Sequence, residues 1–150
     1  MARNEAFVEV PPQAVWAVLA DPECYGDWVV GSRRIRGWDP GWPDAGTRFH
    51  HEVGTGPLVV RDHTESLEAV PDRRLRLRAR ARPIGTAFVT VELRPQDGGT
   101  HVTLIEDPAD PLTKLATLPW WWAAVRMRNK ESIRRLCDLA RKKAAVAPAS

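Results

Sequence analysis

The sequence has only two cysteines, Cys24 and Cys137, and no cysteine pair with Cys-x-x-Cys spacing. This argues against a disulfide framework and against a metal site built on cysteine pairs, so we interpret both thiols as ordinary, partly buried side chains. No apolar run approaches the roughly 20 residues that a transmembrane helix needs, and we expect no stable membrane insertion. Residues 1–6 lack the apolar core of a signal peptide, so a cytoplasmic location is expected.

The composition predicts a single globular domain. The chain has 150 residues, of which 43% are hydrophobic, and this is enough to build one real core. It contains no internal repeat and no linker-like stretch. We therefore predict one domain over residues 1–150, with residues 144–150 as a frayed tail.

The net charge of +3 hides a local concentration of arginine, since six arginines fall within residues 73–82. Strict alternation there places Leu75 and Leu77 on one face of a strand and the arginines on the other. One interpretation is a platform for anions or nucleic acid. The other is a solvated outer sheet face, neutralised by Glu65, Glu68 and Glu92. We favour the second and expect no nucleic-acid partner, because no aromatic residues are interleaved with the arginines for base stacking.

The chain opens with a strand and two short helical segments. Residues 6–10 have strand character, and Pro12 suits the first turn of a helix that follows them. Asp21 is placed as the N-cap of a second helical turn, which ends near Trp28.

Six further segments, bounded by turn residues, have strand patterns: residues 32–38, 47–53, 58–70, 73–82, 86–94 and 100–106. The segment 58–70 is long enough to contain a bulge. Between the last two segments, the run from Gln96 to Gly99 (QDGG) predicts a tight hairpin.

After Pro119 the hydrophobic period becomes that of a helix. One stripe carries Trp122, Val125, Asn129, Ile133, Leu136 and Ala140. We therefore predict an α+β fold in which a curved antiparallel sheet of about seven strands wraps around a long C-terminal helix. Such a sheet tends to enclose a cavity rather than a solid core, and a cavity with a few inward polar residues is a small-molecule site.

The order of these elements and several local motifs resemble the SRPBCC superfamily, which includes START domains, Bet v 1-like proteins and polyketide cyclase/dehydrase-like proteins. The motifs are residues 8–16 (VEVPPQAVW), 21–28 (DPECYGDW), 46–49 (GTRF), 71–75 (PDRRL), 99–104 (GTHVTL) and 129–136 (NKESIRRL). The resemblance implies the helix-grip fold and binding of a hydrophobic, polyketide- or lipid-like molecule. It implies no particular reaction, because the family has no universal catalytic motif.

Alternation predicts which side chains face the cavity. Taking the apolar face of each strand as the inner one turns four polar side chains inward with it: Thr64 and three titratable groups, His51, Asp62 and Glu106. We propose His51, Asp62 and Glu106 as a catalytic acid/base set, with His51 titrating near neutrality and a carboxylate orienting it. The predicted ligand-binding residues are Trp28, Phe49, Thr64, Leu104, Trp122 and Asn129.

Two alternatives to this site remain open. The inward polar residues could form only a hydrogen-bonded patch that closes one end of the sheet. A register slip of one residue would instead turn His50 and His63 inward. We predict no metal, because His50 and His51 are adjacent on a strand, point to opposite faces and cannot chelate together. We also expect no cofactor.

The run from Trp120 to Trp122 covers every direction of a helical turn, so at least one of these rings should be exposed or gate the cavity. The run could be part of the core with a hydrophobic lid, a homodimer contact or a transient membrane contact.

We expect a protein that binds a hydrophobic small molecule. The first alternative is a polyketide cyclase/dehydratase, and the second is a non-catalytic interaction or regulatory module.

Overall fold

The computed structural model describes residues 1–55, 57–81, 85–109 and 119–146. It contains seven strands: β1 (Ala2–Val8), β2 (Ser32–Trp38), β3 (Arg48–Thr55), β4 (Leu58–Val70), β5 (Arg74–Ala81), β6 (Gly85–Gln96) and β7 (Gly99–Pro108). The helices are α1 (Pro12–Leu19), the short α2 (Tyr25–Trp28) preceded by a 3₁₀ turn (Pro22–Cys24), and the long α3 (Pro119–Val146). No helix in the described ranges is long and apolar enough to cross a membrane.

All seven strands form one curved antiparallel sheet in the order β1-β7-β6-β5-β4-β3-β2. The predicted fold is therefore confirmed. The bulge expected in the long segment lies in β4 between Ser66 and Glu68, where the pairing with β5 shifts register. At the β6–β7 hairpin, Asp97 and Gly98 both have positive φ, at 46° and 77°, as the tightest two-residue turn requires.

The sequence patterns also located the helix starts. Pro12 occupies the first turn of α1, and the Asp21 carboxylate accepts a hydrogen bond of 3.0 Å from the Glu23 backbone N–H. This is the N-cap that the sequence predicted.

The first strand is longer and earlier than predicted. Residues 6–10 were expected, but β1 begins at Ala2 and ends at Val8. Its register with β7 explains the difference, since the pairing runs unbroken from Ala2 opposite Glu106 to Val8 opposite Thr100. Backbone pairing at this edge of the sheet defines the strand, although the side chains of residues 3–5 are polar. The C-terminal helix likewise continues to Val146, and residues 147–150 of the predicted tail lie outside the described residues.

The core forms where α3 and α1 close over one part of the sheet. Ile133, Leu136, Cys137 and Ala140 of α3 are buried against the side chains of α1 and the inner face of the sheet. The main packing partners of α3 are β1, α1 and α2, with few contacts to β7. The helix therefore covers one side of the sheet concavity and leaves space in front of the central strands.

The arginines of β5 lie on the outer face. Arg74 pairs with Glu68 at 2.9 Å, and Arg78 lies 3.5 Å from Glu65. The guanidinium of Arg78 also lies 5.6 Å from the ring centre of Phe88 on β6. Pairing with glutamates of the neighbouring strand is what the solvated-face interpretation expects, and the absence of nucleic-acid binding stays a prediction.

Replacing Ile133 with Asp should destabilise the protein by about 3 kcal/mol or more, because the carboxylate would be buried without a partner. The matched control is Met127→Asp, six residues earlier on the same helix, where the side chain is 75% exposed. Urea unfolding followed by circular dichroism measures both. An Ile133→Asp protein as stable as the control would contradict the packing of α3 described above.

Candidate functional site

A cavity of about 250 Å³ lies between the central strands and α3. Its wall is mostly apolar. Residues from α2, from strands β2 to β7 and from the first half of α3 line it. Eight of the predicted site residues are part of this lining: Trp28, Phe49, His51, Thr64, Leu104, Glu106, Trp122 and Asn129. We refer to it below as the inner cavity.

One end of the inner cavity is walled by aromatic rings. Tyr25 and Phe49 lie 4.5 Å apart by ring centres, and Tyr25 and Trp28 lie 5.1 Å apart. The Tyr25 hydroxyl donates to the Leu19 carbonyl at 3.0 Å, and burial raises the pKa of that hydroxyl well above its usual value. Tyr25 therefore acts as a neutral, fixed wall. The sequence analysis missed this residue, although it lies in the same helical turn as Trp28.

His51 lies on the inner face of β3 and is only 5% exposed. Its Nε2 is 3.0 Å from the Thr64 hydroxyl on β4. Burial lowers the pKa of His51 to about 4, and the opposing effect of the nearby Asp62 charge is smaller. The expectation that His51 titrates near neutrality is therefore wrong: its imidazole is uncharged at pH 7.

The two carboxylates of the predicted catalytic set are placed differently. Glu106 lines the inner cavity and forms an ion pair with Arg128 of α3. Asp62 is buried directly across from His51 in the β3–β4 pairing, but it is not part of the cavity lining described here. One of its oxygens accepts from the His63 backbone N–H at 2.9 Å. The structure thus brings His51 and Glu106 to one cavity and engages Asp62 with its own strand.

Asn129 and Ser132 face the cavity from α3, one turn apart. Ser132 accepts a hydrogen bond of 3.0 Å from the Val30 backbone N–H, which ties α3 to the segment after α2. The Asn129 carbonyl oxygen accepts from Arg128 through Nε and Nη2, both at 3.3 Å. Sequence analysis missed Ser132, which the i, i+3 spacing from Asn129 could have found. Arg128 was not predicted either, because helical spacing places it outside the apolar stripe of α3.

Three side-chain nitrogens of the cavity lining are buried with no hydrogen-bond partner among the described residues. They are Trp28 Nε1, His51 Nδ1 and Asn129 Nδ2. Buried polar groups are almost always paired, so each such atom calls for an explanation. Three such atoms lie in the wall of one cavity.

The remaining histidines and tryptophans have other positions. His50 and His63 pair with each other across β3 and β4, with ring centres 6.1 Å apart and on the opposite sheet face from His51. The described residues hold no group of three histidine, cysteine or acidic side chains that could bind a metal ion. Trp121 joins Trp122 in the cavity lining, whereas Trp120 is 59% exposed.

Comparison with known proteins identifies the family of this chain. The family model described as polyketide cyclase / dehydrase and lipid transport matches residues 2–141. No curated protein matches the chain.

Solved structures share the fold at low sequence identity. Protein CV1439 from Chromobacterium violaceum is 18% identical with a TM-score of 0.73, covering 92% of this chain and 94% of that one. Ara h 8.0201 is 11% identical with a TM-score of 0.69, covering 93% and 96%. The di-domain ARO/CYC StfQ from the steffimycin biosynthetic pathway is 10% identical with a TM-score of 0.73, and the match covers 96% of this chain and 51% of StfQ.

The buried, neutral His51 should make stability depend on pH. Its folded-state pKa of about 4 lies below the 6.5 that is usual for histidine, so between these two pH values the unfolded chain binds one more proton than the folded chain. Stability should therefore fall as pH drops from about 6.5 to 4, by on the order of 3 kcal/mol from this group. His51→Gln should lose that component, while His50→Gln, on the outer face of β3, should keep it. Urea titrations at several pH values give the slopes, and equal slopes in His51→Gln and wild type would contradict the assignment.

Proposed function

We propose that this chain, which belongs to the polyketide cyclase/dehydrase and lipid transport family, binds a hydrophobic small molecule in the inner cavity. The observation that carries the proposal is the combination of an apolar wall with three unpartnered buried nitrogens. An apolar pocket with a few fixed polar groups is the usual design of a small-molecule site. The apolar wall supplies affinity, and the polar atoms fix orientation.

The size of the cavity narrows the choice of ligand. At about 250 Å³ it lies just below the roughly 300–1,000 Å³ typical of ligand pockets. An apolar cavity of about 150 Å³ already accommodates benzene. A compact molecule of two fused rings, or a short acyl segment, therefore suits this site better than a long extended lipid. The aromatic wall of Tyr25, Trp28 and Phe49 favours a flat ring system.

A cyclase/dehydratase activity is the second candidate. It is favoured by the free Nδ1 of His51, a neutral imidazole nitrogen in the wall of the inner cavity. A neutral imidazole can polarise a ketone or relay a proton during enolisation. The acid/base set of His51, Asp62 and Glu106 is less favourable for this chemistry, because Glu106 is already paired with Arg128 and Asp62 accepts from the His63 backbone N–H. His51, hydrogen-bonded to Thr64, would then act without a carboxylate partner in the cavity.

Ala87→Phe should block ligand binding, because Ala87 lines the inner cavity on β6. The probe is tetralin, an uncharged two-ring hydrocarbon, titrated by isothermal calorimetry. We expect its affinity to fall by about tenfold or more, equivalent to about 1.4 kcal/mol. The matched control is Thr90→Phe, which adds the same ring to β6 at a position paired with the outward Arg76. Wild-type protein that binds neither tetralin nor α-tetralone, or equal binding in both variants, would contradict the proposal.

The catalytic candidate has a separate test. In D₂O, a protein that enolises α-tetralone would exchange the hydrogens on the carbon next to the carbonyl for deuterium, as mass spectrometry can follow. We expect His51→Gln to reduce any such exchange at least tenfold while α-tetralone still binds, because the change removes proton transfer and little contact area. Exchange no faster than the buffer background would exclude this activity for simple ketones and leave the binding function intact.

A further inference from the structure

From the hydrogen bonds around Asn129, we infer that the ligand of the inner cavity presents an uncharged oxygen acceptor, of the carbonyl type, to Asn129, and that Arg128 is the positioning residue that orients the Asn129 amide for it. This inference rests on the proposed binding function. It adds the chemical class of the group recognised and the residue that sets the recognition.

The orientation of the Asn129 amide follows from the hydrogen-bond donors of the Arg128 guanidinium. A guanidinium has five N–H donors and no acceptor. Two of its nitrogens, Nε and Nη2, lie 3.3 Å from the same Asn129 side-chain atom. That atom must be the carbonyl oxygen, since the opposite orientation would bring an NH₂ donor against N–H donors. Arg128 thereby leaves the amide nitrogen as the group that remains free.

The free nitrogen is a donor that lacks an acceptor. Asn129 is 4% exposed, and its Nδ2 has no hydrogen-bond partner among the described residues. Trp28 Nε1, in the wall of the same cavity, is also buried without a partner among the described residues. An indole nitrogen can only donate a hydrogen bond. A ligand that satisfied either group must bring an acceptor atom. An unpaired buried donor is costly, so this complementarity discriminates against molecules without an oxygen.

The charges near Asn129 argue for an uncharged acceptor. The Arg128 cation is compensated by Glu106, whose carboxylate it contacts at 2.5 Å. His51 is neutral at pH 7 because burial lowers its pKa. Arg80 also reaches the lining, at the β5–β6 end, but strand alternation directs its side chain to the outer face with Arg76 and Arg78. An anionic ligand would therefore find no unpaired cation beside Asn129 among the residues that the structure describes, and it would be placed close to the Glu106 carboxylate.

The test compares α-tetralone with tetralin, which has the same ring skeleton without the oxygen. The readout is the ratio of their dissociation constants (tetralin over α-tetralone), which cancels any general loss of binding in a variant. We expect the ratio to fall about tenfold in Asn129→Leu, the scale of one buried hydrogen bond. In Arg128→Met it should fall about threefold or more, because the amide is then free to turn its oxygen toward the ligand.

Two further variants make the test specific. Asn129→Asp keeps the oxygen that Arg128 contacts and replaces the free donor with an acceptor, so its ratio should also fall about tenfold. Lys130→Met removes a cation from the other side of Asn129 on α3, at an exposed position, and should keep the wild-type ratio. Arg128 has a side chain that is 42% exposed, so Arg128→Met is expected to fold even where a change at the buried Asn129 is not tolerated.

Each outcome decides a different part of the inference. If both compounds bind and the ratio is the same in all proteins, the role of Asn129 is overturned while the proposed binding function stands. If neither compound binds to wild type, the proposed function itself fails. If Asn129→Leu lowers the ratio and Arg128→Met does not, Arg128 is not a positioning residue. Tighter binding of 5,6,7,8-tetrahydronaphthalene-1-carboxylate than of α-tetralone would overturn the preference for an uncharged acceptor.

Discussion

The off-centre packing of α3 is the constraint on which the rest of the structure depends. Its C-terminal half buries Ile133, Leu136 and Ala140 against α1 and the sheet, and this contact fixes the helix over one side of the concavity. The turns before it then face the central strands across a gap. A sheet of this curvature cannot contact one helix along its whole width, so the space that remains becomes the inner cavity. The same helix thus supplies the core at one end and part of the site at the other.

Much of this arrangement could be predicted from the sequence, because alternation and turn residues are local signals. The inward positions of His51 and Thr64 were predicted correctly for an identifiable reason: the bulge of β4 lies between Ser66 and Glu68, beyond the stretch that pairs with β3. Period-two alternation therefore holds over the part that lines the cavity. The start of β1 escaped prediction because its pairing with β7, and not an apolar pattern, keeps residues 2–5 in the sheet.

The properties that could not be predicted all depend on three-dimensional surroundings. A sequence shows that His51 is a histidine facing inward, but its depressed pKa comes from burial among residues distant in the chain. Arg128 looked like a solvated helix residue, because the pattern does not show that Glu106 of β7 lies within its reach. The predicted catalytic roles of Asp62 and Glu106 require free carboxylates, whereas in the structure Asp62 accepts a backbone hydrogen bond and Glu106 is in an ion pair.

Because His51 is neutral only when buried, its protonation would change if the inner cavity opened to water. Its proton affinity is low only while its ring is kept from water, since desolvation is the largest cause of the shift. Any motion that flooded the cavity would restore that affinity, and a nonpolar guest that displaced water would suppress it again. The protonation state of His51 therefore depends on the hydration of the cavity. Near pH 6, the imidazole takes up a proton only when water reaches it.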